Sequence, residues 1–202
     1  MAIETLRPDG AGSETAIDTQ YPNSGVHWDK VNEASADEGV TYIENKNGVV
    51  GIYQRDLYAL PAHSGSGNIK GVTVYVRTLH NVSAAKASIR IYNTTYDSPV
   101  LEASSEWTTR SYTWANNPNT DMAWTWDEID ALEAGVSLSS STASPDWSRC
   151  TQVYIEVEEV KSISITLALH LRSLTTNLHS KNLTANLHSR NLITKLKGGM
   201  GG

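Results

Sequence analysis

The stretch Asn68-Ile69-Lys70-Gly71-Val72-Thr73-Val74-Tyr75-Val76-Arg77 decides the fold class. Val72, Val74 and Val76 fall on one parity and Thr73, Tyr75 and Arg77 on the other. A period of two is the signature of an extended strand with one face in a core. The pattern recurs in Ala87-Ser88-Ile89-Arg90-Ile91-Tyr92, with Ile89 and Ile91 inward, and again from Thr151 to Val157, with Val153, Ile155 and Val157 inward. Weaker runs occupy Thr41–Ile43, Val49–Tyr53, Trp107–Trp114 and Val136–Leu138. Turn-forming clusters separate them: Ser64-Gly65-Ser66-Gly67, Asn93-Thr94-Thr95, Asn116-Asn117-Pro118-Asn119 and Ser139-Ser140-Ser141-Thr142. Short strands punctuated by turns predict an all-β fold, an antiparallel β-sandwich or jelly roll. One short helix is expected over Trp126–Ala134. Thr125 and Glu128 form a capping-box pattern at its start, and Gly135 is placed to end it.

The chain has 202 residues, 39% of them hydrophobic and 19% charged, with a net charge of −6. That composition is too apolar and too weakly charged for a wholly disordered chain. No apolar run is long enough for a membrane-spanning helix, and the first seven residues lack the apolar stretch of a secretory signal. The single cysteine, Cys150, excludes an intramolecular disulfide. Charge is unevenly divided. Residues 1–160 hold all 22 acidic side chains against 10 basic ones, a net −12, whereas residues 161–202 hold six basic side chains and no acid. Such asymmetry points to an acidic partner for the C-terminal segment, a merely soluble tail being the competing reading. The acidic body of a neighbouring copy serves that role, and nucleic acid is the less favoured candidate.

The C-terminal segment is a nine-residue repeat. Leu174-Thr175-Thr176-Asn177-Leu178-His179-Ser180-Lys181-Asn182 is followed by Leu183-Thr184-Ala185-Asn186-Leu187-His188-Ser189-Arg190-Asn191. Ile165, Leu169, Leu174, Leu178, Leu183, Leu187, Leu192 and Leu196 alternate at spacings of four and five. The mean period is far from the 3.6 of a helix, so short strands joined by polar turns are expected. Units this short cannot bury their own leucines, and association between chains is the expected way to cover them. The predicted organisation is a β-sandwich over residues 1–160, a repeat tail for oligomerisation or docking over 161–197, and a flexible Gly-rich end over 198–202. The expected assembly interface is Leu169, Leu174, Leu178, Leu183, Leu187, Leu192 and Leu196, with a homotrimer favoured.

No nucleophile elbow, phosphate-binding glycine loop or HExxH motif occurs, so no catalytic residue and no enzyme activity are expected. His170, His179 and His188 recur with the repeat and read as repeat copies rather than metal ligands. Asp9, Glu14, Asp18, Asp29, Glu33, Asp37 and Glu38 crowd the first 40 residues and read as solvated loop carboxylates, with calcium the alternative. No metal and no cofactor are expected. His27, His63 and His80 stand isolated in the sequence. With no Phe in the chain, six Trp and nine Tyr carry the aromatic mass. Trp107, Trp114, Trp124 and Trp147 are the candidates for an exposed, sugar-stacking surface; core filling is the competing role.

Five segments resemble a group of bacteriophage and prophage structural proteins: Glu4-Thr5-Leu6-Arg7-Pro8, His27-Trp28-Asp29-Lys30-Val31-Asn32-Glu33-Ala34, Asp56-Leu57-Tyr58-Ala59-Leu60-Pro61, Ala123 to Leu132, and Cys150-Thr151-Gln152-Val153-Tyr154. The resemblance covers about residues 1–160. It implies a jelly-roll appendage domain and a place in a virion, as capsid decoration, head fibre or tail appendage, with capsid or other virion proteins as partners. The alternative expectation is a carbohydrate-binding module that meets a host-surface glycan. A chain ending at Val160 is expected to remain folded yet lose assembly. Sedimentation equilibrium checks this, and a truncated chain as oligomeric as the full one would overturn the role of the tail.

Overall fold

A computed structural model describes residues 1–46, 51–80, 84–140 and 147–160. The repeat tail, with the leucines of the expected assembly interface and the trimer they imply, lies outside the described residues, as do Val49 and Val50. Among the described residues eleven strands run in chain order: β1 (Ala2–Leu6), β2 (Gly10–Thr15), β3 (Thr19–Tyr21), β4 (Tyr42–Asn45), β5 (Tyr53–Ala59), β6 (Asn68–His80), β7 (Ala85–Ile91), β8 (Thr94–Asp97), β9 (Ser104–Trp114), β10 (Leu132–Ser139) and β11 (Ser148–Val160). One turn of 3-10 helix, His27–Lys30, and one short helix, α1 (Trp126–Asp130), interrupt them.

The strands form two antiparallel sheets packed as a sandwich. One has the order β3-β4-β11-β6-β9 with β1 also on β11; the other is β2-β5-β10-β7-β8. The period-two reading holds: Val72, Val74 and Val76 of β6, Ile89 and Ile91 of β7, and Val153, Ile155 and Val157 of β11 are all fully buried in one core. Each such side chain contributes about 1.5–3 kcal/mol of burial. On its outer face the second sheet is tied by a polar network spanning all five strands. Arg55 of β5 binds Glu14 of β2 at 3.1 Å, Asp97 of β8 at 2.7 Å and Ser137 of β10 at 3.0 Å; Ser88 of β7 binds Asp97 at 2.8 Å.

Two expectations need correction. The capping box is present, with the Thr125 side chain accepting from the Glu128 N–H and the Glu128 side chain accepting from the Thr125 N–H, but the helix ends at Asp130 rather than Ala134. From Leu132 the apolar residues switch to alternation. Leu132, Ala134, Val136 and Leu138 are 2% exposed or less, and the chain becomes the central strand β10. Gly135 therefore caps no helix. It sits opposite Leu57 of β5, where an added Cβ would lie 1.8 Å from the Asp56 carbonyl oxygen. The second correction concerns the N-terminal carboxylates, which are not all in solvated loops: Glu14 lies in β2, which pairs with β5, while β1 pairs with β11 and β3 with β4; Asp9, Asp18 and Asp29 are exposed as expected. Some carboxylates of this region are engaged. Glu4 accepts from the backbone and hydroxyl of Ser64 at 2.6 and 2.7 Å and from the Gly65 N–H at 3.0 Å. Glu38 pairs with Arg77.

Gly135→Ala is expected to cost about 3 kcal/mol or more, because the clash is with backbone that cannot turn aside. Gly39, which has nothing within 4 Å of its added Cβ, supplies the control; Gly39→Ala should change stability by less than about 0.5 kcal/mol. Urea denaturation of both variants checks the pair.

Candidate functional site

The outer face of the six-stranded sheet gathers aromatic side chains around an ion pair. In β4, Ile43 and Asn45 are fully buried, which turns Tyr42 and Glu44 to the other face. Glu44 is held on both oxygens, by Arg149 Nε at 2.5 Å and by Lys46 Nζ at 3.4 Å. The Arg149 guanidinium lies over two rings, 4.5 Å from the centroid of Tyr42 and 4.0 Å from that of Trp147. Tyr21, half exposed, stacks on Tyr42 at 5.4 Å, and Trp107 of β9 approaches Tyr42 at 6.4 Å. A recess of about 250 Å³ adjoins these rings, lined by Thr19, Gln20, Tyr21, Asn23, Tyr42, Glu44 and Lys46.

The four tryptophans proposed from sequence divide by parity and position. Trp107 and Trp147 are partly exposed members of this face. Trp114 and Trp124 are 8% and 4% exposed and belong to the core; the Trp124 indole donates to the Trp114 carbonyl at 2.9 Å. They cannot present a ring to a ligand, which corrects their inclusion among the glycan-binding candidates. Tyr21, Tyr42 and Arg149 were missed. The only sequence signal for Tyr42 and Glu44 was their parity opposite Ile43.

A second site lies where the chain crosses from β2 in one sheet to β3 in the other. Asp56 of β5 is fully buried. Its Oδ1 accepts from the Ile17 N–H at 2.9 Å, and its Oδ2 from His27 Nδ1 at 2.6 Å and the Tyr58 hydroxyl at 3.3 Å. Burial, with the adjacent Asp56 charge adding to it, pushes the Tyr58 hydroxyl well above its ordinary range and keeps it a donor. The His27 ring is 17% exposed and borders a cavity of about 310 Å³, shared with Ala11, Thr15, Gln20, Gly25, Val26, Trp28 and Tyr58. His27, isolated in the sequence, is thus one half of a buried pair 29 residues apart. His63 is likewise paired, with Asp130 at 2.7 Å, and stacks on Trp126 at 4.7 Å.

The N-terminal carboxylates show a third grouping. The Thr41 hydroxyl lies within hydrogen-bond distance of both Glu33 and Asp37, at 2.8 and 2.9 Å, sharing its single proton between them, and Asp37 also accepts from Thr151 at 3.1 Å. Among the described residues no group of three or more His, Cys, Asp or Glu side chains is disposed to hold a metal. Burial raises the pKa of Glu33. Hydrogen bonds, including the one from Thr41, oppose the rise, and the charges of Asp37 and Asp29 add to it.

No protein-family model matches the chain, and no curated protein matches it. Among solved structures, the C-terminal CBM6 of LamC, a marine laminarinase from Zobellia galactanivorans, is similar at 13% identity with a TM-score of 0.38, over 78% of this chain and all of that one. The likeness is too slight to carry an argument; the sandwich is read from the strand pairing itself.

A raised folded-state pKa means that ionised Glu33 opposes folding. Its favourable contribution is complete below the ordinary value of 4.5 and is lost as pH rises through the folded value. Glu33→Gln is therefore expected to raise the thermal midpoint at pH 7. The two proteins should converge below about pH 4, where the unfolded-state carboxyl is protonated too. Thermal melts across this range check the sign.

Proposed function

We propose that this protein is a glycan-binding module whose ligand lies across the outer face of the six-stranded sheet. The observation that carries the reading is the gathering of Tyr21, Tyr42, Trp107 and Trp147 around the Arg149–Glu44 pair, beside a polar recess. Aromatic faces pack against the apolar C–H faces of sugar rings, while a few fixed polar groups set orientation and specificity. Here Glu44 accepts from ligand hydroxyls, and Lys46 and Asn23 donate to ring and hydroxyl oxygens. Glu44, bound at both oxygens, and Arg149, held between two rings, are pre-positioned, so little side-chain freedom remains to be lost on binding. On a virion such a module serves attachment to host-surface glycans; the virion itself, and the role of capsid decoration, head fibre or tail appendage, rest on the sequence resemblance alone.

Binding of the full chain to an array of plant, algal and bacterial polysaccharides, followed by calorimetry on the positives, tests the reading. Tyr42→Ala and Trp107→Ala are each expected to weaken binding by about tenfold, the loss of roughly one stacking contact, with unchanged circular dichroism. Failure to bind any polysaccharide, or undiminished binding by both variants, would overturn it.

A further inference from the structure

The cavity at His27 borders the aromatic face's recess at Gln20, but its chemistry is different. Asp56 can only accept from His27, so Nδ1 of that ring carries a proton and, in the neutral imidazole, Nε2 presents its lone pair. The ring is held by a fully buried carboxylate that two further donors fix in place. Among the described residues Nε2 has no hydrogen-bond partner, and the ring borders the cavity. The Gln20 amide also lines this space. Its nitrogen donates to the Gly25 carbonyl at 3.0 Å, which leaves its oxygen without a donor. The remaining walls are the Trp28 and Tyr58 rings, Val26 and Ala11, with one hydroxyl from Thr15. Among the described residues no Lys, Arg, Asp or Glu lines the cavity. Its volume of about 310 Å³ is at the small end for ligand sites, enough for one ring and not for a chain.

We infer that this cavity binds a single neutral hydroxylated ring, a free monosaccharide or the terminal residue of a longer chain, by accepting a ligand hydroxyl at His27 Nε2 and packing the ring against Trp28. The acceptor selects a ligand that donates, the absence of charge in the walls selects a neutral one, and the aromatic and aliphatic lining requires an apolar ring face. The inference is carried by the His27–Asp56 pair and does not rest on the outer-face reading. The two sites are distinct but adjacent: Gln20 lines both, whereas His27, Trp28 and Tyr58 line the cavity and Tyr21, Tyr42 and Glu44 the recess.

Nuclear magnetic resonance of the labelled full chain tests it, observing the His27 imidazole and Trp28 indole signals. The probes are the methyl glycosides of glucose, galactose, mannose and N-acetylglucosamine, and the corresponding trisaccharides. Saturable shifts at both rings with at least one probe are expected. A trisaccharide binding about tenfold tighter than its methyl glycoside assigns the site to chain ends, and equal affinities assign it to a lone residue; either outcome supports the inference. Val26→Trp, placed at a half-exposed position of the rim, fills the cavity without touching the His27–Asp56 pair and should abolish the shifts while preserving the melting midpoint. Tyr42→Ala should leave them intact. The inference fails if no probe shifts both rings, if the shifts persist in Val26→Trp, or if Tyr42→Ala removes them.

Discussion

The antiparallel pairing of β6 with β11 is the constraint on which the molecule depends. These are the two longest strands among the described residues, 13 residues each, and they are in register from Ser148↔His80 to Val160↔Asn68 with two local irregularities. Their inward valines and isoleucine form one wall of the core, and every other strand of that sheet is placed from them. β9 pairs along the free edge of β6, while β4 and β1 divide the free edge of β11, β4 at Ser148–Cys150 and β1 at Ile155–Glu159. Between those two stretches β11 is irregular near Thr151, and the segment after the 3-10 turn fills the gap. The Val153 N–H donates to the Val31 carbonyl at 2.7 Å, and the Gln152 amide donates to the Glu33 carbonyl at 2.6 Å. Cys150 is sealed beneath this joint, where burial pushes its thiol up to about 12 and leaves it unreactive.

That joint also explains why functional candidates collect at one end of the sandwich. The N-terminal chain contributes β2 to one sheet and β3 to the other, and must cross between them. Irregular backbone cannot be packed like strands, so the crossing leaves space near β3: a polar recess beside the outer face and a largely apolar cavity at His27, with Gln20 bordering both. A carboxylate at the inner boundary, Asp56, has to be satisfied where water does not reach, and Ile17, Tyr58 and His27 supply the donors. Charge burial thereby orients an imidazole toward the cavity as a by-product of stability.

The aromatic residues show how far chemistry is legible before the fold is known. With no Phe available, tryptophan has to serve both core and surface, and composition alone cannot divide it. Trp107 and Trp114 lie on opposite parities of β9, so one was bound to turn outward, and Trp107 does. No such rule covers Trp124 and Trp147 in connecting segments, whose burial depends on what folds over them. Tyr42 and Arg149 are far apart in sequence, and their contact exists because β4 and β11 are neighbours with Glu44 opposite Arg149. The same holds for His27 and Asp56, each unremarkable on its own.

Local patterning determined the all-β class, the inward faces of β6, β7 and β11 and the capped start of α1, because period-two alternation and a capping box are satisfied within a few residues. The end of α1 was also written locally, in the alternation of Leu132, Ala134, Val136 and Leu138, but there it competed with a helix-compatible reading, and pairing with β5 and β7 decided between them. Tertiary structure alone decided the N-terminal strands, which are polar and hold their places through backbone ladders and side-chain caps supplied by distant segments, as Ser64 and Gly65 do for Glu4. It alone decided both candidate sites as well. A binding site is a set of side chains brought together by strand order and register, and those are properties of non-local hydrogen bonding that no short stretch of the chain encodes.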